Sequence, residues 1–195
     1  MIKILDNIIT KKEQENLKNV LYGSEFCWYY ISDVTTPQNK KQQRPALTHI
    51  YMKDGIVNSE YYDIIKKISD NVNKKIKKNL KPTLVRSFLQ FPLNQKYTGT
   101  DIDTPHIDLH IPHTVYLYYV NDCDGDTVLY NYKSKKLTEQ DVVKKVTDIP
   151  FYEDIKIKKK ITPKQGRVVV FDGMTWHSST QPTKGTRTII NFDMV

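Results

Sequence analysis

The chain reads as an α+β protein, mainly β, in which two N-terminal helices pack on one outer face of a β-sandwich or barrel. Three observations predict this. Two helix patterns fall early, at residues 10–22 and 59–80; after Pro82 the apolar period shortens to two; and turn residues then recur at short intervals to the C-terminus. With 195 residues, 38% hydrophobic and 27% charged, and no low-complexity linker, the expectation is one domain spanning 1–195. Its N-terminal helix and strand part is 1–81 and its β core 82–195.

Thr10 and Glu13 have the form of a capping box, so a helix starts there, runs to about Tyr22 and stops at Gly23. Strands follow at 26–31 and 46–52, separated by a polar loop over 35–45 that is a candidate lid. In 59–80, Ile64, Ile65, Ile68, Val72 and Ile76 recur at three- and four-residue spacing between lysines, which predicts an amphipathic helix backing a sheet. The strands of the core are expected at 85–91, 106–111, 113–120, 127–132, 155–161, 167–171, 176–180 and 187–194. Turns fall at 121–122, 124–126, 163–166 and 184–185. A charged insertion at 133–154, with a helical pattern over 138–146, carries no motif, and there are no internal repeats.

The formal net charge of +8 invites a nucleic-acid partner. Against it, only Arg44, Arg86, Arg167 and Arg187 of the 30 basic residues are arginines, and the lysine runs at 74–78 and 156–160 read as solvated faces. Nucleic acid is not the expected partner. The N-terminus lacks the apolar run of a signal peptide and nothing reaches membrane-spanning length, so the expected location is cytoplasmic, with no membrane partner. Cys27 and Cys123 have neither disulfide-framework nor zinc-finger spacing.

The chemistry gathers at His106, Asp108, His177 and Arg187. In a strand, residues two apart share a face, so His106 and Asp108 project together while Ile107 turns away. His177 opens another strand, and the turn before Arg187 permits a hairpin that would bring the guanidinium near it. Two imidazoles and a carboxylate suit a ferrous ion with open positions; an arginine beyond the last ligand suits a bound dicarboxylate. Each residue alone has a plainer reading: a surface His–Asp pair, a core-edge histidine, a salt-bridged strand arginine. It is the conjunction on a β-rich chain that favours the metal site. His110 and His113 compete as ligands in a histidine-rich arrangement.

His106, Asp108, His177 and Arg187 resemble the iron and co-substrate signature of the Fe(II)/2-oxoglutarate-dependent dioxygenases, whose fold is the double-stranded β-helix (jelly roll, cupin-like). The run HTVYLYYVN over 113–121, DGDTVLY over 124–130, GRVVVFDG over 166–173 and the Trp176-His177-Ser178 step are most similar to the prolyl 4-hydroxylase-like branch. The resemblance extends from about Ser87 to the C-terminus. It implies Fe(II) held by His106, Asp108 and His177, and 2-oxoglutarate held by Arg187 and Tyr119 in a pocket lined by Val128 and Leu117. It also implies hydroxylation of an unactivated C–H bond, with succinate and CO2 as co-products and ascorbate as supporting reductant. The expected partner is a proline-containing protein or peptide. Phe91-Pro92 departs from the branch's Tyr-Pro, and Tyr97 or Gln90 is expected to supply the missing contact. An AlkB-type nucleic-acid demethylase would carry a second arginine where this chain has Asp193. A small-molecule hydroxylase of the same superfamily is a competing reading, and so, from a different class, is a non-catalytic jelly-roll binding module.

Overall fold

The computed structural model describes residues 2–35, 44–93, 102–134 and 155–195. Two helices and eleven strands follow one another in these segments: β1 (Lys3–Leu5), α1 (Lys11–Leu21), β2 (Tyr29–Ile31), β3 (Ala46–Lys53), β4 (Ile56–Val57), α2 (Tyr62–Ile76), β5 (Pro82–Gln90), β6 (Thr114–Tyr119), β7 (Thr127–Lys133), β8 (Ile157–Ile161), β9 (Val168–Asp172), β10 (Thr175–Ser179) and β11 (Arg187–Met194). All pairs between these strands are antiparallel. The larger sheet runs β1-β9-β6-β11-β5-β3-β2, with β4 on β3; the smaller runs β10-β7-β8.

The period-two pattern sorts side chains between two layers. On β6, Tyr116 and Tyr118 face outward and join Leu17 and Leu21 of α1 and Ile65, Ile68 and Val72 of α2. Val115, Leu117 and Tyr119 face the other way, toward Leu129 of β7 and Ile161 of β8. Both helices therefore cover the outer face of the larger sheet, and its inner face meets the smaller sheet. Helix α1 begins in the expected capping box: Glu13 N–H donates to Thr10 Oγ1 at 3.3 Å, and Thr10 N–H to the Glu13 carboxylate at 2.7 Å. No helix among the described residues is long and apolar enough to cross a membrane.

Three details differ from expectation. The short strands β1 and β4 lack enough residues for an alternation to show in sequence. Residues 106–111 form no strand: His106 alone bridges to His177, exchanging two backbone hydrogen bonds of 2.9 Å, and the chain then bends away between Pro105 and Pro112, neither of which has an N–H for a ladder. Finally, β10 and β11 lie in different sheets, so the link between them is a crossing from the smaller sheet to the larger and not a hairpin. The central part of the candidate lid, residues 94–101 with Tyr97, and the helical pattern at 138–146 lie outside the described residues.

Candidate metal and co-substrate site

Between the sheets opens a cavity of about 370 Å³, lined by His106, Asp108, His177, Arg187, Leu117 and Thr127 among others. His106 arrives on the single bridge to β10, which sets its ring 4.6 Å from that of His177, centroid to centroid. Asp108, although off any strand, turns back to the same point: its Oδ2 is 3.2 Å from His177 Nε2 and its Oδ1 3.9 Å from His106 Nε2. One ligand atom from each of the three lies within 4.8 Å of the others. Metal–ligand bonds of about 2.0–2.2 Å at right angles require separations of about 3 Å, so the donors are close to a grip on one ion.

The tautomers favour that grip. His106 Nδ1 faces the Thr104 carbonyl at 3.0 Å and His177 Nδ1 the Thr175 carbonyl at 3.2 Å; since a carbonyl only accepts, both Nδ1 atoms carry a proton and each ring turns its Nε2 toward the common point as the atom that would bind a metal. Burial, and secondarily the neighbouring His177, lowers the His106 pKa to about 4, which keeps the ring neutral. Burial alone would raise the Asp108 pKa, but His177 and Arg86 together hold its carboxyl well below the usual range. Arg86 Nη2 donates to Asp108 Oδ1 at 2.5 Å and Asn191 Nδ2 to Oδ2 at 3.2 Å.

His110 is exposed and joins no cluster among the described residues, whereas His113 and Asp193 form with Asp108 a second group of ligand-type atoms. Within it Asp193 is buried, and burial, reinforced by Asp108, raises its pKa to about 8. A carboxyl that holds its proton at neutral pH is a poor ligand, so the first triad is the better metal candidate.

Arg187 opens β11 and is buried. Its Nε donates to the Gly125 carbonyl at 2.9 Å, Nη1 to Gln90 Oε1 at 2.7 Å and Nη2 to Thr127 Oγ1 at 2.9 Å. All these acceptors are neutral; among the described residues the guanidinium has no carboxylate partner. Gly125 has to be glycine here, because a Cβ would stand 2.9 Å from Arg187 Cδ and 3.0 Å from the Thr180 carbonyl. Tyr119 stacks its ring 6.0 Å from this guanidinium and spends its hydroxyl on Thr127 Oγ1 at 2.7 Å; burial pushes the phenol up to about 12. Its link to Arg187 thus runs through Thr127.

Of the residues singled out in sequence, His106, Asp108, His177, Arg187 and Leu117 line one cavity, and Tyr119 reaches one of its lining residues, Thr127, through its hydroxyl. Val128 is on the opposite face of β7, packed with Tyr130 and Trp176, and Thr127 takes the cavity position instead. Gln90 lines the cavity, where its Nε2 donates to Asp103 Oδ2 at 3.0 Å and Ser179 Oγ at 3.1 Å and its Oε1 accepts from Arg187, while Tyr97, the other expected source of the missing contact, lies outside the described residues. Sequence reasoning passed over Arg86, Asp103 and Asn191. The alternation Arg86-x-Phe88-x-Gln90 was a legible signal for the first. Asp103 sits in a buried network with Arg44 (3.1 Å), Gln90, Gln181 and Ser179 assembled from four separate segments, which no local pattern announces.

No protein-family model and no curated protein matches the chain. Solved structures do. A viral collagen prolyl hydroxylase from Paramecium bursaria Chlorella virus-1, in its 2OG complex, is 13% identical, with a TM-score of 0.59 over 99% of this chain and 94% of that one. A prolyl hydroxylase from Trichoplax adhaerens, in complex with a hypoxia inducible factor oxygen degradation domain peptide fragment, is 16% identical, with a TM-score of 0.60 over 98% and 82%. The non-heme alpha-ketoglutarate-dependent epimerase SnoN from nogalamycin biosynthesis is 10% identical, with a TM-score of 0.62 over 100% and 77%. The structural neighbours are thus 2OG-Fe(II) oxygenases, prolyl hydroxylases among them, and the chain has their fold.

Proposed function

We propose that the chain is an Fe(II)- and 2-oxoglutarate-dependent dioxygenase that hydroxylates an unactivated C–H bond, with a peptidyl proline as substrate and ascorbate as supporting reductant. On this reading the two facing sheets are a double-stranded β-helix. The observation that carries the proposal is Arg187: a buried cation whose described partners are all neutral, in the same cavity as three convergent metal-ligating groups. A guanidinium buried without a counter-charge is costly, and its planar fork of donors matches a carboxylate.

His106, Asp108 and His177 would hold the iron, and Arg187 with Thr127 the distal carboxylate of 2-oxoglutarate. Leu117 and Ile189 give that part of the cavity apolar walls, which excludes water and strengthens the ion pair. Bound Fe(II) with 2-oxoglutarate would supply dioxygen activation and C–H oxidation, releasing succinate and CO2. The proline assignment draws on the similarity of the 113–121 and 124–130 runs to the prolyl 4-hydroxylase-like branch and on the two prolyl hydroxylases among the structural neighbours.

The test is incubation of the protein with Fe(II), 2-oxoglutarate, ascorbate and a panel of proline-containing peptides, with succinate and peptide mass followed together. The expected result is a gain of one oxygen matched by succinate. Turnover of methylated oligonucleotides alone would overturn the proline assignment, and no succinate with any substrate would overturn the oxygenase reading.

A further inference from the structure

We infer that Arg86 is a specificity-determining residue that binds a carboxylate of the primary substrate, close to the carbon that is oxidised; this rests on the oxygenase reading above. Arg86 and Arg187 belong to the same inner face of the larger sheet but to different ends of the cavity. Arg187 pairs across the strands with Gln90, whereas Arg86 pairs with Asn191, four residues along β11. At about 3.4 Å per residue the two positions are some 14 Å apart along the strand. The co-substrate assigned to Arg187 and the metal therefore leaves Arg86 to face whatever else enters.

The guanidinium of Arg86 is held in place before any ligand arrives. It lies over the Phe88 ring, 5.2 Å from the centroid, and Nη2 is fixed by Asp108. Only part of the group is used. Its Nε is buried with no hydrogen-bond partner, Nη1 makes none among the described residues, and the side chain remains 25% exposed, in the cavity wall, against 5% for Asp108. Beside it Asn191 Oδ1 is likewise buried without a donor. The single carboxylate paired with Arg86 among the described residues is also the proposed iron ligand, and a dication held there would share that negative charge and leave the guanidinium short of an anion. Asp193 interacts with Arg86 electrostatically but forms no ion pair with it; Asp33, in the cavity wall, accepts from the Arg44 backbone N–H, and Asp103 is paired with Arg44. Because Arg86 touches a proposed metal ligand, the carboxylate it binds would lie near the reacting carbon, as in a free imino or amino acid, a C-terminal residue or an acidic residue adjoining the target.

The test measures, by titration calorimetry on protein loaded with Zn(II) and saturating 2-oxoglutarate, the binding of matched carboxylate and carboxamide probes. The pairs are L-proline and L-prolinamide, N-acetyl-L-proline and its amide, and the peptides Gly-Pro-Glu and Gly-Pro-Gln with amidated C-termini. The expectation is that in at least one pair the carboxylate binds about tenfold more tightly, and the pair that does so identifies the source of the charge. Arg86→Met should bring that ratio to within about twofold, and Arg86→Lys should retain part of it. A purely structural role for Arg86 would weaken both probes equally and leave the ratio unchanged. A ratio near one in every wild-type pair, binding of no probe, or a preference that survives Arg86→Met would overturn the inference. Failure of 2-oxoglutarate itself to bind the zinc-loaded wild type would remove the oxygenase reading, and this inference with it.

Discussion

Buried charge governs the site at the scale of single residues. Arg187→Met removes two charge-assisted hydrogen bonds to the proposed co-substrate, each worth about 1.5–3 kcal/mol, so 2-oxoglutarate affinity measured by calorimetry should fall about a hundredfold or more. A glycine carries a second prediction. A Cβ on Gly173 would stand 2.0 Å from Nε2 of His113, a buried ring whose Nδ1 donates to the Ile111 carbonyl at 2.7 Å. The ring cannot swing away without giving up that bond. Gly173→Ala should therefore lower stability by about 1–3 kcal/mol in urea denaturation. The convergence of His106, Asp108 and His177 was legible from residue type and spacing, because metal-binding groups are drawn from those types; Arg86 and Asn191 were not singled out, since arginine and asparagine in a strand have many plainer uses.

Among the elements, β11 concentrates the polar face of the larger sheet: Arg187, Asn191 and Asp193 alternate with the outward Ile190, Phe192 and Met194. The proton on Asp193 makes this strand pH-sensitive. Its folded pKa of about 8 lies above the ordinary value of 3.8, so the folded state binds the extra proton between these values and stability falls as pH rises through that window. His106, lowered to about 4, acts in the opposite sense, since its stability contribution grows as pH rises from 4 to about 6.5. Between pH 6.5 and 8 only the Asp193 effect of these two remains. Metal-free protein should lose stability there as pH rises, by on the order of 1 kcal/mol per pH unit, and Asp193→Asn should flatten the loss. Denaturant titrations at pH 6.5, 7.2 and 8 would check this. The strand itself was plain in the sequence because apolar and polar residues alternate from Ile190 to Met194. The 106–111 segment misled, since its alternation is real but its flanking prolines deny it a ladder.

In the molecule as a whole, the two layers separate stability from chemistry. The helices and the outer face of the larger sheet form one apolar cluster, while the inner face shares its area between a smaller apolar cluster and the polar cavity. A ligand bridging both sheets should then stabilise the whole fold: His177 belongs to the smaller sheet and Arg187 to the larger. At about a hundred times Kd, Zn(II) with 2-oxoglutarate should add about 2.7 kcal/mol, a rise in Tm of roughly 5–10 °C, and His177→Ala should abolish the metal-dependent part. A surface-bound metal would give no such dependence on His177. The fold class was readable from the change of period after Pro82. Which strands share a sheet was not, because the link from β10 to β11 has the length of a hairpin and only the packing of the two layers decides that it crosses.

The functional assignment stands or falls on whether His106, Asp108, His177 and Arg187 together bind one ferrous ion and one 2-oxoglutarate. Anaerobic titration of the protein with Fe(II) and 2-oxoglutarate, followed by visible absorption, reads this out. The expected spectrum is a weak charge-transfer band in the wild type that requires both components and is absent from His177→Ala. A featureless wild-type spectrum, or a band that persists unchanged in the variant, would refute the assignment.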